Sequence, residues 1–247
     1  MIQPTVRTLC RIAVFGFLLF CLPTAVTSGA AMPDSFYLPE IKTDHPALSD
    51  VDIVIDVGHG GIDSGTFYGD ILEKDINLSI AKRTYELLRQ QGYLVLMNRI
   101  DDYALSGENL WLRSKSRHIK DLAQRAHMAN EVNPKLVISL HVNAAKRPST
   151  RGAIILHQKD ERSKALASSL QNKLNAYYGI EHDPVYGRTY YLLKYSKAPT
   201  VIVEVGFLTN AEDRALLTSS EGQQALAVKV AEGVVAYLKE QEKGSQP

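Results

Sequence analysis

Cysteine is almost absent from this chain. Only two of its 247 residues are cysteines, Cys10 and Cys21, and both fall in a short apolar segment near the N-terminus. The rest of the chain has no thiol, so it can form no disulfide and offers no sulfur ligand. A metal site there must be built from histidine and carboxylate. An excess of either charge is also missing, with 28 Lys and Arg against 27 Asp and Glu and a net charge of +1. No broad positive field draws the protein to nucleic acid, and no nucleic-acid module is present, so recognition must be local. Long hydrophobic runs are lacking too. The single exception, Ile12 to Leu22, falls short of the roughly 20 apolar residues that span a bilayer. Arg7 and Arg11 precede it, Pro23 closes it and Ser28-Gly29-Ala30 follows. That order of charged start, apolar middle and small-x-small site reads as a secretory signal. Residues 1–31 are therefore expected to be a signal peptide or an uncleaved N-terminal anchor, the only part to meet a membrane. Phe20 before Cys21 speaks against a lipoprotein site.

What is present looks ordinary for a globular domain, at 45% hydrophobic and 22% charged, and the length suits one well-packed domain. Residues 32–50, with Pro33, Pro39 and Pro46, read as a linker. The domain is expected over 51–240, with a disordered tail over 241–247. Strand-like and helix-like stretches alternate along it. Asp52 to Val57, Leu94 to Met97, Leu136 to Leu140, Ala153 to Leu156, Tyr190 to Leu193 and Thr200 to Gly206 read as strands. Helices are expected from about Asp75 to Gln91, with Leu78, Ala81, Tyr85 and Leu88 on one stripe, and up to about Asn130, with Leu122, Ala126 and Ala129 inward. Two more are expected, from Glu161 to Tyr177 and after a capping box at Ser220-x-x-Gln223. This alternation predicts an α/β three-layer sandwich, with a mostly parallel central sheet and helices on both faces.

Three residues stand out at strand ends. His59 follows the first strand in a Gly58-His59-Gly60-Gly61 turn, His141 follows the third, and Glu204 sits inside the apolar run Val201-Ile202-Val203-Glu204-Val205. In an open α/β sheet, sites form where the carboxyl ends of strands converge. Glu73, at the start of the next helix, can reach the same crevice. Each residue alone has a structural reading: a histidine finishing a strand, or a carboxylate bonded to an arginine or a backbone amide. Together, two imidazoles and a carboxylate make a usual catalytic zinc set with one position left for water. A carboxylate that does not bind the metal is then needed to carry the proton, and Glu204 fits, since a charge among valines is costly unless it works or is paired. Asp56, Asp63, Asp75 and Asn143 are candidates to orient the imidazoles, although Asp75 suits a plain helix-start carboxylate better.

The motifs Ile55-Asp56-x-Gly58-His59-Gly60-Gly61-x-Asp63-x-Gly65, Leu72-Glu73-Lys74-Asp75-x-Asn77-Leu78, Ile138-Ser139-x-His141-x-Asn143-Ala144 and Val203-Glu204-x-Gly206-Phe207-Leu208-x-Asn210 resemble the zinc-dependent N-acetylmuramoyl-L-alanine amidases of bacterial cell walls. Arg125-x-x-x-Ala129-Asn130 and the Pro199 lead-in are similar to that family as well. The likeness runs from about Val51 to Leu238. It implies Zn2+ on His59, Glu73 and His141, catalysis by Glu204, and supporting or substrate-binding parts for Asp63, Asn143 and Arg125. The implied reaction is hydrolysis of the amide between the lactyl group of N-acetylmuramic acid and the L-alanine of the peptidoglycan stem peptide. Within the family the chain looks most like the single-domain, germination-specific amidases of endospore formers. That likeness implies an exported protein on the cell wall or spore cortex side, preparing muramic δ-lactam. Val57 and His157 depart from the pattern, at positions away from the ligands. No long helical insertion follows His141, so the blocked state of division amidases is not expected.

Other readings stay open from the residues alone: a zinc exopeptidase of similar fold, a wall-binding module without turnover, or a structural wall protein. The basic residues Arg113, Arg117 and Lys120 either line an approach for anionic stem peptides or a partner, or form a solvated helix face. An activating protein partner and a homodimer both remain open.

Overall fold

The computed structural model of the protein describes residues 51–244. The expected signal segment and linker, and the tail beyond 244, lie outside these residues. No described helix is long and apolar enough to cross a membrane.

The chain runs β1 (Ile53–Val57), β2 (Phe67–Tyr68), β3 (Ile71–Leu72), α1 (Glu73–Gln90), β4 (Val95–Met97), a 3-10 turn (Leu105–Gly107), α2 (Arg117–Val132), β5 (Leu136–Asn143), β6 (Ile154–His157), α3 (Glu161–Tyr178), β7 (Val185–Tyr186), α4 (Tyr191–Tyr195), β8 (Thr200–Phe207), α5 (Ala211–Thr218) and α6 (Ser220–Gly244). Six strands form one sheet in the order β4-β1-β5-β8-β6-β7, while β2 and β3 make a separate hairpin. Neighbours in the sheet are parallel except β6 and β8, which are antiparallel. The expected mostly parallel sandwich is what forms.

Side chains alternate across a sheet, and here the alternation separates packing from chemistry. On one face Ile53, Ile55, Val57, Leu136, Ile138, Leu140, Val201, Val203 and Val205 join the main core with the buried sides of α1, α3 and α6. Ile76, Ile80 and Leu88 of α1, Leu166, Leu170 and Leu174 of α3, and Leu226, Val230, Val234 and Leu238 of α6 all belong to it. At roughly 1.5–3 kcal/mol for each fully buried large apolar side chain, this layer provides most of the apolar stabilisation. On the other face two small clusters form, Val54 and Val137 with Ala129 of α2, and Leu156 and Ile202 with Leu193 of α4. Asp56, Ser139, His141 and Glu204 lie on this side, where α2 and the short α4 leave a crevice.

Several expectations are corrected. Tyr190 to Leu193 is not a strand: Tyr191–Tyr195 is a short helix seated by Leu192 and Leu193. The cap of the last helix is Ser219, whose Oγ accepts the Gly222 N–H, and not Ser220; Gln223 reaches the Leu217 carbonyl instead. That helix runs to Gly244, four residues into the stretch expected as tail. In α1 the buried stripe is set by Ile76, Ile80, Thr84 and Leu88, with Leu78 and Tyr85 at its margin. In α2, Leu122 lines the crevice while Ala123, Ala126 and Ala129 are buried. His141 lies inside β5, which runs two residues past it.

Candidate active site and metal centre

The crevice holds about 560 Å³ at the carboxyl ends of β1, β5 and β8. Three residues that can bind a metal converge there. One ligand atom each of His59, Glu73 and His141 lies within 4.8 Å of the others, and the two imidazole centroids are 4.9 Å apart.

Local backbone chemistry explains the convergence. After β1 the chain turns at once: His59 adopts φ +60°, a left-handed conformation rare for a side chain other than glycine. A Cβ on Gly58 would run into the His141 imidazole, so glycine there is what lets β1 and the imidazole of β5 come close. Gly65, at φ +65°, brings the returning loop against Glu73 and His59, with no room for a Cβ. Glu73 begins α1 and is buried. Its Oε1 lies 3.2 Å from His59 Nε2 and 3.0 Å from His141 Nδ1, and accepts the Val142 N–H at 3.0 Å and an Asn77 amide N–H at 3.2 Å. Its Oε2 accepts the Thr66 N–H at 2.7 Å.

The electrostatics follow from these contacts. Burial alone would raise the Glu73 carboxyl, but the two imidazoles outweigh it and hold the group below the usual carboxylate range. Burial opposes protonation of His59, yet the bonds to Glu73 and Asp63 win and push it up to about 9. Glu204 is different. Burial raises it to about 7, against His141, which lowers it, and with Glu73, which adds to the rise. Its Oε2 is buried without a hydrogen-bond partner among the described residues. It is the Cα register partner of His141 across β5 and β8, so a free, protonatable carboxylate stands beside one of the imidazoles.

Five further residues singled out in the sequence lie in or around the site. Asp63 Oδ2 sits 2.9 Å from His59 Nδ1, leaving Nε2 to point at Glu73. Arg125 touches none of the three ligating side chains. From α2 its Nη1 donates to Asp56 and to the Val57 carbonyl, its Nη2 to the His59 carbonyl at 2.8 Å, and its Nε to Asp121. Asn143 lines the crevice, but its Oδ1 accepts the neighbouring Ala144 N–H and meets no imidazole. Asp56 is buried among Arg125, Ser139 and Asn98, below the site. Asp75 is exposed in the first turn of α1.

Two residues to which the sequence reading assigns no part, Arg99 and the motif residue Asn77, support the site. Arg99 is 1% exposed and donates to the carbonyls of Val57, Gly58, Lys74 and Asp101. With Arg125 it holds all three carbonyls of the Val57–His59 turn. Asn77 ties Glu73 to the Gly58 carbonyl. Its place four residues after Glu73, on the same helix face, was a readable signal, whereas nothing local marked Arg99.

Convergent nitrogen and oxygen ligands beside an unpartnered carboxylate define a hydrolase that can work at a metal centre. Comparison with known proteins narrows that class: the chain belongs to the N-acetylmuramoyl-L-alanine amidase family, whose profile matches residues 53–236. Among curated relatives, it is 33% identical over 204 residues to the germination-specific N-acetylmuramoyl-L-alanine amidase of Bacillus subtilis (strain 168), covering 81% of this chain and 84% of that one. It is 33% identical over 190 residues to N-acetylmuramoyl-L-alanine amidase LytC of the same organism, covering 76% of this chain but 35% of LytC. The chain thus spans about a third of LytC and most of the germination-specific amidase. Among solved structures it is similar to the CwlD amidase from Clostridioides difficile in complex with the GerS lipoprotein, at TM-score 0.72 and 32% identity, covering 77% of this chain and all of that one. It is also similar to the N-acetylmuramoyl-L-alanine amidase of Clostridium difficile 630, at TM-score 0.67 and 29% identity, covering 78% and 98%.

Proposed function

We propose that this protein is a zinc-dependent enzyme that hydrolyses the amide between the lactyl group of N-acetylmuramic acid and the L-alanine of the peptidoglycan stem peptide. The observation that carries this reading is the site itself, in which His59, Glu73 and His141 bring three ligand atoms within 4.8 Å next to a buried, unpartnered Glu204 carboxylate. Two histidines and one carboxylate suit Zn2+, which when bound would lower the pKa of water and polarise the amide carbonyl.

The chain's own residues do the rest. Asp63 holds the His59 Nδ1 side, so that Nε2 faces the ligand cluster. The Thr66 and Val142 N–H groups and the Asn77 amide hold Glu73 in place. Glu204, poised near neutral pH, takes the proton of the attacking water and delivers it to the departing L-alanine nitrogen. The likeness to the germination-specific amidase supports an exported protein acting on spore cortex, where release of the stem peptide precedes muramic δ-lactam formation. The GerS complex of CwlD supports a protein partner for this chain as well.

The test is release of stem peptide from purified peptidoglycan by the zinc-loaded protein, a chelator-treated sample and the Glu204→Gln variant. Chelation should abolish release, and the variant should lose about three orders of magnitude, within the range general acid–base catalysis supplies, while still binding zinc. Full rate in the variant would remove Glu204 from the mechanism.

A further inference from the structure

Beside the crevice lies a second cavity of about 370 Å³, between the 3-10 turn and the start of α2. The two share Asp63, His118 and Asp121 as walls, so they lie side by side. Ile62, Ala104, Ser106 and Arg117 complete it. Its two carboxylates are already engaged. Asp63 meets His59 Nδ1 with one oxygen and the Gly65 N–H with the other; Asp121 takes the Leu105 N–H and Arg125 Nε. Arg117 forms no ion pair among the described residues. The other basic residues of this stretch drop out: Lys120 donates to the Asn109 carbonyl and braces the loop, and Arg113 does not line either cavity. The uncommitted charge of the side cavity is therefore positive. The crevice is also lined by the hydroxyl side chains of Thr189, Tyr190 and Tyr191, on the stretch leading into α4.

The substrate has the same asymmetry. Its scissile amide joins a glycan that is neutral around the cut to a peptide that carries carboxylates. We infer that the side cavity is the stem-peptide subsite, in which Arg117, with His118 beside it, receives the carboxylate of the peptide's second residue. This rests on the amidase reading and adds the direction in which the substrate lies: peptide toward α2, glycan toward Tyr190.

The experiment uses two synthetic substrates, MurNAc-L-Ala-D-Glu and MurNAc-L-Ala-D-isoglutamine, both with the γ-carboxyl capped as its methylamide, so that they differ only in whether the α-carboxylate is free or amidated. Zinc-loaded wild type should favour the acid. Arg117→Ala should raise KM for the acid by about fivefold, the upper scale of an exposed ion pair, Arg117 being exposed. It should leave the amide unchanged, and Arg117→Lys should restore part of the difference. Equal losses on both substrates, or none on either, would overturn the subsite. Calorimetric binding of both compounds to the zinc-loaded Glu204→Gln protein, with and without Arg117→Ala, makes the same comparison without turnover. A wild type that binds the acid better through Arg117 but cleaves neither compound would count against the amidase reading and leave the subsite standing.

Discussion

His141 and Glu204 are Cα partners on the neighbouring parallel strands β5 and β8. Both project from the thinly covered face of the sheet, so their spacing is set by the hydrogen-bond ladder. Just beyond them the register shifts, and Asn143 pairs with Phe207. His59 and Glu73 are placed differently, by a left-handed turn and a helix start that tertiary contacts hold. Half of the site is therefore as rigid as the sheet, and the other half depends on its supports.

Burial pushes Glu204 up to about 7 from an ordinary 4.5. A raised carboxylate favours the fold below pH 4.5, and that contribution is lost between about 4.5 and 7 and stays flat above. In metal-free protein, Glu204→Gln should thus stabilise the fold by up to about 3 kcal/mol at pH 8 and by nothing at pH 4. Urea unfolding with chelator at both values checks it, and an equal effect at both would contradict the buried-carboxylate account.

His59 in the metal-free protein stays protonated through neutral pH, since Glu73 and Asp63 hold it at about 9 against the effect of burial. A metal on Nε2 requires the neutral ring. Zinc binding at pH 7 should release about one proton from His59, and affinity should climb about tenfold per pH unit up to roughly 9. Calorimetry in buffers of different ionisation enthalpy gives the proton count. Zero release at pH 7 would mean that the ion does not displace this proton.

Two glycines with similar backbones should behave differently. Gly65 and Gly69 have φ +65° and +58°, but a Cβ on Gly65 would collide with Glu73 and His59, whereas one on Gly69 meets nothing within 4 Å. Gly69→Ala should cost only the left-handed penalty of about 1–2 kcal/mol and keep full zinc affinity. Gly65→Ala should also lose at least about tenfold in affinity, in line with supports that orient metal ligands. Chelator competition on the two variants separates backbone strain from displaced ligands.

Arg99→Lys keeps the charge, but one ammonium cannot reach the four carbonyls that the guanidinium holds. Zinc affinity should fall by about 10–100-fold even where circular dichroism shows an intact fold. Unchanged affinity would show that the turn carrying His59 needs only Arg125.

The sequence revealed what repeats locally and little of what pairs at a distance. β1, β5 and β8 were readable as β-branched runs, and Glu204 because a carboxylate among valines is conspicuous. His59 and Glu73 were readable from a glycine-flanked turn and a helix start. Tyr190 to Leu193 misled because aromatic and aliphatic content suggests a strand, while five residues leave no periodicity to show a helix. Asp63 is one of four residues the sequence offers to orient the imidazoles, and it lies 2.9 Å from His59 Nδ1, four residues away. Arg125 was expected near the ligands, but it works through main-chain carbonyls, and Arg99 does the same from a separate element. A bond from a guanidinium to a distant carbonyl leaves no mark in sequence, because any residue supplies the carbonyl.

The unequal cover of the sheet also bears on how such a protein can change. The large apolar layer under α1, α3 and α6 lies on the face turned away from the crevice. Substitutions around the side cavity and along Thr189 to Tyr191 therefore fall where little apolar packing is at stake. A lineage could retune which wall it trims by drifting on one face while the other keeps the domain folded.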